Sequence, residues 1–153
     1  MHKTLALLGG LALTAVTAMA ANAQGTVKIG VVMPYSGQFA DLAVQMDNGI
    51  KLYMKQKGDT VAGKKIEIIR KDTGGVAPDV ATRLAQELVT RDNVDILAGS
   101  TLSPNAIAMS KISAEAKKFM VIMNAATTVI ITMSPYSVRT SMTLPSVGAS
   151  AGT

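Results

Sequence analysis

Two short polar segments carry side chains able to hold a small anion. The first, Gly99-Ser100-Thr101-Leu102-Ser103, directly precedes Pro104, and Ser followed by Pro is typical of the cap and first residue of a helix. The start of a helix presents unpaired backbone N–H groups and about half a positive charge, which suits a carboxylate or phosphate. Ser103 and Thr101 add hydroxyl donors. A Ser103 that only caps its own helix is the alternative explanation.

The second segment is Asn124-Ala125-Ala126-Thr127-Thr128, which follows an apolar run. Small residues let the backbone approach a ligand closely, and the hydroxyl of a Thr can bond an ammonium or a carboxylate. An ordinary turn between a strand and a helix explains the same residues without a ligand. The pattern therefore indicates a binding loop and leaves the plain turn open.

An enzymatic alternative comes from Asp72-Thr73-Gly74, because Asp-Thr-Gly after a strand is the signature of aspartic proteases. The context argues against it. Arg70 and Lys71 precede the motif where those enzymes bury an apolar strand, and three long helical segments do not suit an all-β protease.

The amino-acid composition excludes several classes of protein and of functional site. The chain has 153 residues, 48% hydrophobic and 16% charged, which excludes intrinsic disorder. It has no Cys, so disulfides, thiolate nucleophiles and Cys-based metal sites are excluded. The sequence shows neither a dinucleotide-binding nor a P-loop glycine motif, and we expect no cofactor and no metal. A basic cluster with almost no aromatic residues predicts a solvated face and no nucleic-acid partner; it comprises Lys55, Lys57, Lys64, Lys65, Arg70 and Lys71.

Residues 1–23 are typical of a cleaved signal peptide. His2 and Lys3 form a positive start, an uncharged apolar run covers residues 5–19, and Ala21-Asn22-Ala23 supplies the small residues of a cleavage site. The apolar run is shorter than the roughly 20 residues of a membrane-spanning helix. An uncleaved anchor is the alternative. Cleavage would remove His2, the only histidine, and this favours a binding protein over an enzyme.

The remaining sequence alternates strands with helices. We predict an α/β fold, a parallel sheet with helices on both faces, whose ligand crevice lies at the carboxyl ends of the strands. The apolar spacing of Leu42, Met46, Ile50 and Tyr53/Met54 predicts one apolar face of the first helix. The predicted strands cover residues 27–33, 65–71, 94–98, 119–123 and, at one edge, 136–140; the predicted helices cover 41–57, 79–91 and 103–117, and 124–135 is predicted as a loop.

The ordered set of segments resembles the periplasmic solute-binding proteins of branched-chain amino acid (Leu/Ile/Val-type) ABC transporters. The match extends from residue 27 to about residue 145 and rests on the order of the segments, since no single motif is specific. The segments are Val27–Gly37, Asn48–Leu52, Gly63–Glu67 with Asp72, Ala85–Val89, Gly99–Ser103 and Tyr136–Ser141.

The resemblance implies a two-lobed type I periplasmic binding fold that closes on an amino acid or a related small carboxylate. By position it implies that Ser103, and then Ala125, Ala126 and Thr127, grip the ligand. The residue that packs against the ligand side chain falls near Leu42, where related proteins often have an aromatic residue. Met123-Asn124 also departs from the Ser-Pro common before the second loop. The implied partner is the membrane permease of an ABC transporter, and the implied compartment is the periplasm.

The resemblance also predicts the domain organisation. We expect a first ligand-binding lobe over residues 24–145 and an aberrant small-residue tail over 146–153, where the family continues into its second lobe. One lobe with half a site predicts weak affinity. The alternatives are a periplasmic ligand-sensing module of the same fold and a fragment that binds nothing.

Overall fold

A computed structural model describes residues 25–151. The strands in this range form one six-stranded sheet. The strand order is β2-β3-β1-β4-β5-β6, and every neighbouring pair is parallel except β2 with β3. The two-residue β2 was not predicted from the sequence. The strands are β1 (Thr26–Met33), β2 (Thr60–Val61), β3 (Lys64–Asp72), β4 (Ile96–Gly99), β5 (Phe119–Ile122) and β6 (Ser137–Arg139).

Helices cover both faces of this sheet, as predicted. On one face α2 and α3 pack over a core that includes Leu97 and Met120, while α1 packs on the other face over Val31 and Ala98. The central strand β1 is buried on both sides, as is usual for parallel sheets. The helices are α1 (Ala40–Lys57), α2 (Pro78–Thr90), α3 (Ser103–Ala116), α4 (Val129–Met133) and α5 (Leu144–Ala151).

Val80, Leu84 and Leu88 recur at i, i+4 and i+8 in the sequence, which predicts an apolar stripe on α2. The structure confirms the stripe at Leu84 and Leu88. Leu84 and Leu88 are buried together with Ala81 and Ala85, so the helix presents one continuous apolar face to the sheet. Val80, also predicted in this stripe, is only partly buried.

The apolar face predicted for α1 is partly wrong. Tyr53 is 61% exposed and Leu42 is 41% exposed, whereas Ala43 and the charged Asp47 are buried. The Asp47 carboxylate is tolerated there because it accepts hydrogen bonds from Arg70 Nε at 2.6 Å and from Lys51 Nζ at 2.8 Å. Burial acts to raise the pKa of Asp47, but these hydrogen bonds outweigh it and hold the pKa below its ordinary value.

Three cations of the predicted basic face, Lys65 included, are ion-paired. Arg70 contacts Asp47, and Lys71 Nζ lies 3.1 Å from the carboxylate of Asp92 and 3.7 Å from that of Glu87. Neighbouring carboxylates therefore offset part of the positive charge of β3.

Two helices occupy segments that the sequence pattern left without regular structure. The short α4 lies inside the predicted loop 124–135, and α5 extends into the predicted tail. The sequence of α4 is a β-branched run, and the burial of Ile130 against α3 stabilises it as a helix. Among the described residues, no helix combines the length and the apolarity needed to cross a membrane.

Candidate functional site

The two polar segments singled out in the sequence lie side by side at the carboxyl edge of the sheet. Their loops follow the neighbouring strands β4 and β5 and are joined by the backbone. The N–H of Met123 donates to the Gly99 carbonyl at 2.8 Å, and the N–H of Ala125 donates to the Ser100 carbonyl at 2.9 Å. The structure therefore holds the two loops as one unit.

A side chain adds a third link between these loops. The amide of Asn124 donates from Nδ2 to the Thr101 carbonyl at 3.2 Å. The side chain of Thr101 is buried at 4% exposure, and its Oγ1 has no hydrogen-bond partner among the described residues. A buried hydroxyl without a partner carries an energetic cost that a ligand atom could relieve.

Ser103 does not have the role of helix cap that the Ser-Pro pair predicts. The helix α3 already begins at Ser103, and the residue before it, Leu102, has the extended conformation of a cap. Pro104 is then the second helical residue, where its missing N–H costs nothing. The Ser103 hydroxyl is half-buried and bonds no residue of the described chain. The self-capping explanation therefore fails, and the hydroxyl stays available at the start of α3.

The three remaining loop residues differ in exposure. Ala125 is buried at 1%, whereas Ala126 and Thr127 are half-buried on the same loop. Leu42 lies in the first turn of α1, nine residues beyond the end of β1, and is exposed. Because β4 neighbours β5, the loops that carry Ser103, Ala125, Ala126 and Thr127 share one edge of the sheet, and within the described chain no observed contact joins Leu42 to them.

Arg139 is a residue of this edge that sequence reasoning missed as part of the site. It ends β6 and sends its guanidinium to the loop after β5, where Nη1 donates to the Ala125 carbonyl and Nη2 to the Thr127 carbonyl. Arg139 falls within a segment that carries the family resemblance, but its target depends on the pairing of β5 with β6. No local spacing in the sequence could identify that target.

The Asp-Thr-Gly motif has a structural role at the other end of this edge. Oδ1 of Asp72 accepts hydrogen bonds from three backbone N–H groups, those of Tyr35 at 2.8 Å, Ser36 at 3.2 Å and Gly74 at 2.8 Å. This carboxylate joins the loops that follow β1 and β3. The mostly parallel sheet between helices is also incompatible with an all-β aspartic protease, so that alternative is wrong.

These backbone bonds, together with the side-chain hydroxyl of Ser36, govern how Asp72 titrates. Partial desolvation of the carboxyl acts to raise its pKa, but the bonds from Ser36, Gly74 and Tyr35 outweigh it and hold the pKa below its ordinary value.

A pH-dependent contribution to stability follows from this lowered pKa. The contribution is fully present above the pKa of an unfolded Asp, about 3.9, and is lost as the pH falls through the lower folded value. Because Asp72 is exposed, we expect Asp72→Asn to lower the free energy of unfolding by only about 1 kcal/mol at neutral pH. The loss should vanish at a pH below both values.

Urea denaturation of both proteins as a function of pH checks this prediction. Glu67→Gln is the matched control, since Glu67 is exposed and forms no ion pair within residues 25–151. A destabilisation by Asp72→Asn that is the same at pH 2 and pH 7 would contradict the ionic role.

Tyr35, near the carboxyl end of β1, stays protonated over the physiological range. Burial, followed by the nearby charge of Asp47, raises the pKa of Tyr35 to about 12. A phenol this weakly acidic is poorly suited to act as a general acid or base at neutral pH.

The sequence matches the family model described as "Periplasmic binding protein" over residues 26–153. The chain belongs to the periplasmic binding protein family. The resemblance drawn from the ordered segments is thereby confirmed, and the sheet matches one lobe of the type I periplasmic binding fold.

Relatives within this family carry names that describe solute binding. The chain is 41% identical to Leu/Ile/Val-binding protein homolog 6 of Brucella abortus (strain 2308) over 136 residues, which is 89% of this chain and 35% of that protein. It therefore spans about a third of the length of such relatives.

Solved structures of two solute-binding proteins of ABC transporters have the same fold. One, from Rhodopseudomonas palustris BisB5 in complex with 3,4-dihydroxybenzoic acid, is 48% identical with a TM-score of 0.76, covering 78% of this chain and 32% of that one. Another, from R. palustris in complex with 4-hydroxybenzoate, is 35% identical with a TM-score of 0.77, covering 83% of this chain and 36% of that one.

Proposed function

We propose that this chain forms the first ligand-binding lobe of an extracytoplasmic receptor for a small carboxylate, serving an ABC uptake system. The observation that supports it most is the pair of joined loops after β4 and β5. They carry the Ser103 hydroxyl, which bonds no described residue, and the Ala125-Ala126-Thr127 segment at one edge of the sheet. Hydroxyl and amide donors beside a helix N-terminus suit a carboxylate.

The proposed ligand class is a carboxylate on a small apolar body. The name of the Brucella relative refers to Leu, Ile and Val, and the two R. palustris structures hold hydroxybenzoates. These compounds share a carboxylate and an apolar remainder. In this proposal Ser103, Ala125, Ala126 and Thr127 bind the carboxylate end, and Leu42 contacts the apolar end.

The proposed partners and compartment follow from the same family. A membrane permease of an ABC transporter would receive the solute, and the receptor would work in the periplasm. Export relies on residues 1–23, the proposed signal peptide, which lie outside the described residues. Residues 24–145 are the proposed lobe and 146–153 the proposed tail.

A single lobe supplies only one wall of a two-walled cleft. The second wall would bury the remaining ligand surface and add polar partners, each worth roughly 1–3 kcal/mol. We therefore expect residues 24–145, studied as a separate polypeptide, to bind weakly, with a dissociation constant well above the micromolar range.

Titration of the ¹⁵N-labelled protein tests the proposal. The probes are 4-hydroxybenzoate, 3,4-dihydroxybenzoate and leucine, with 4-hydroxybenzyl alcohol as an uncharged analogue. We expect saturable amide shifts in the loops after β4 and β5 with a carboxylate and none with the alcohol. Ser103→Ala and Thr127→Val should each weaken binding about fivefold or more, because each removes a hydrogen bond worth about 1 kcal/mol.

Thr82→Ala is the matched control. Thr82 lies on α2, and among residues 25–151 its hydroxyl bonds only the Pro78 carbonyl of its own helix. Equal affinity for acid and alcohol, or unchanged affinity in both loop variants, would contradict the proposed site. No saturable binding by any probe would favour the non-binding fragment instead.

A further inference from the structure

We infer that Arg139 is a positioning residue that orients the ligand-binding loop after β5. The inference rests on the proposed function, since it concerns how that loop presents its donors. Its physical basis is the bridge from one guanidinium to the carbonyls of Ala125 and Thr127.

The pairing of β6 with β5 puts Arg139 where it can reach the loop. Arg139 is the last residue of β6 and lies opposite Ile122, the last residue of β5. The side chain is half-buried, and its Nη1 also lies 3.4 Å from Ser141 Oγ. No carboxylate within residues 25–151 pairs with Arg139, and the two loop carbonyls are its closest hydrogen-bond acceptors there.

Peptide geometry converts this bridge into an orientation of the loop amides. In a trans peptide the C=O and the following N–H point in opposite directions, and the described chain has no cis peptide. Holding the carbonyls of Ala125 and Thr127 toward Arg139 therefore turns the N–H groups of Ala126 and Thr128 away from it. Within the described part of the chain, neither N–H donates a hydrogen bond.

The two amides are therefore unpaired donors on one side of the loop, with a cation on the other side. The guanidinium satisfies the negative ends of both peptide dipoles and leaves the positive ends free for an anion. A lysine would keep the charge, but its single nitrogen lacks the planar fork that fits two carbonyls together. Arg139 thus prepares the loop for a carboxylate without needing to contact it.

The test compares wild type with Arg139→Met and Arg139→Lys. The first readout, without ligand, is hydrogen exchange of the Ala125 amide, which bonds the Ser100 carbonyl and reports the seating of the loop. We expect its protection to fall at least tenfold in both variants, while that of Leu97 in β4 changes little. Unchanged protection of Ala125 in both variants would overturn the inference.

The second readout is the affinity for 4-hydroxybenzoate, followed at the amides of Ala126 and Thr128. We expect both variants to weaken binding at least tenfold, with Arg91→Met, an exposed residue after α2, as the matched control. An Arg139→Lys protein that binds like wild type would show that charge alone suffices, and would overturn the positioning role.

The two readouts separate this inference from the proposed function. If wild type bound none of the carboxylates, the proposed function would fail, and hydrogen exchange at Ala125 would still decide whether Arg139 holds the loop.

Discussion

Replacing Gly99 by alanine is expected to destabilise the protein by about 3 kcal/mol or more. Gly99 ends β4 with a φ of +111°, a conformation that L side chains rarely adopt. A Cβ built there would lie 2.3 Å from the carbonyl oxygen of Val32 in the adjacent strand β1. Backbone strain of about 1–3 kcal/mol and overpacking of about 1–3 kcal/mol act together, because the atoms that the Cβ would meet belong to the backbone of β1 and cannot rotate away as a side chain could.

The same replacement should disturb the candidate site. The Gly99 carbonyl accepts the bond from Met123, and the next carbonyl, of Ser100, accepts the bond from Ala125. Displacing Gly99 would separate the two loops. Urea denaturation followed by circular dichroism measures the loss of stability.

Gly49→Ala is the control for this variant. Gly49 lies on α1, and an added Cβ there meets nothing within 4 Å. We expect this change to stabilise the helix by about 0.5–1 kcal/mol. A Gly99→Ala protein within 1 kcal/mol of wild type would show that β4 and β1 can separate, and the prediction would be wrong.

Replacing Leu88 by alanine is expected to cost about 3–5 kcal/mol, the second large effect. Leu88 is fully buried on the face of α2 that packs against the sheet, and its removal leaves a cavity under the helix. Leu52→Ala is the matched control, because Leu52 is 55% exposed on α1 and should change stability by less than about 0.5 kcal/mol.

A double-mutant cycle with Gly30 makes this prediction specific. A Cβ at Gly30 would lie 2.7 and 2.9 Å from the two terminal carbons of Leu88, so Gly30→Ala alone should cost about 1–3 kcal/mol. In the Leu88→Ala background the added methyl would enter the cavity. We expect a favourable coupling of about 1 kcal/mol or more, and additive costs would contradict the close packing of α2 on β1.

The sequence by itself determined the α/β fold, the order of the main strands and helices, and the family. These follow from local signals, since β-branched runs predict strands and the spacing of Leu84 and Leu88 predicts a helix with one apolar face. The turn residues after each strand also predicted where the loops lie. Because strands that alternate with helices run parallel, the loops that follow them must meet at the same edge of the sheet.

Only the tertiary structure decided what the individual side chains do. The Ser103 hydroxyl does not cap α3, because the helix begins one residue earlier than the Ser-Pro pair predicts. The Asp72 carboxylate accepts hydrogen bonds from backbone N–H groups of a loop 36 residues away. Asp47 is buried because Arg70 of β3 reaches it, and Arg139 acts on Ala125 and Thr127 because β6 pairs with β5. Each of these contacts joins residues that are distant in the sequence or depends on strand register. Local patterns encode local conformation, whereas such pairings are decided only when the elements pack.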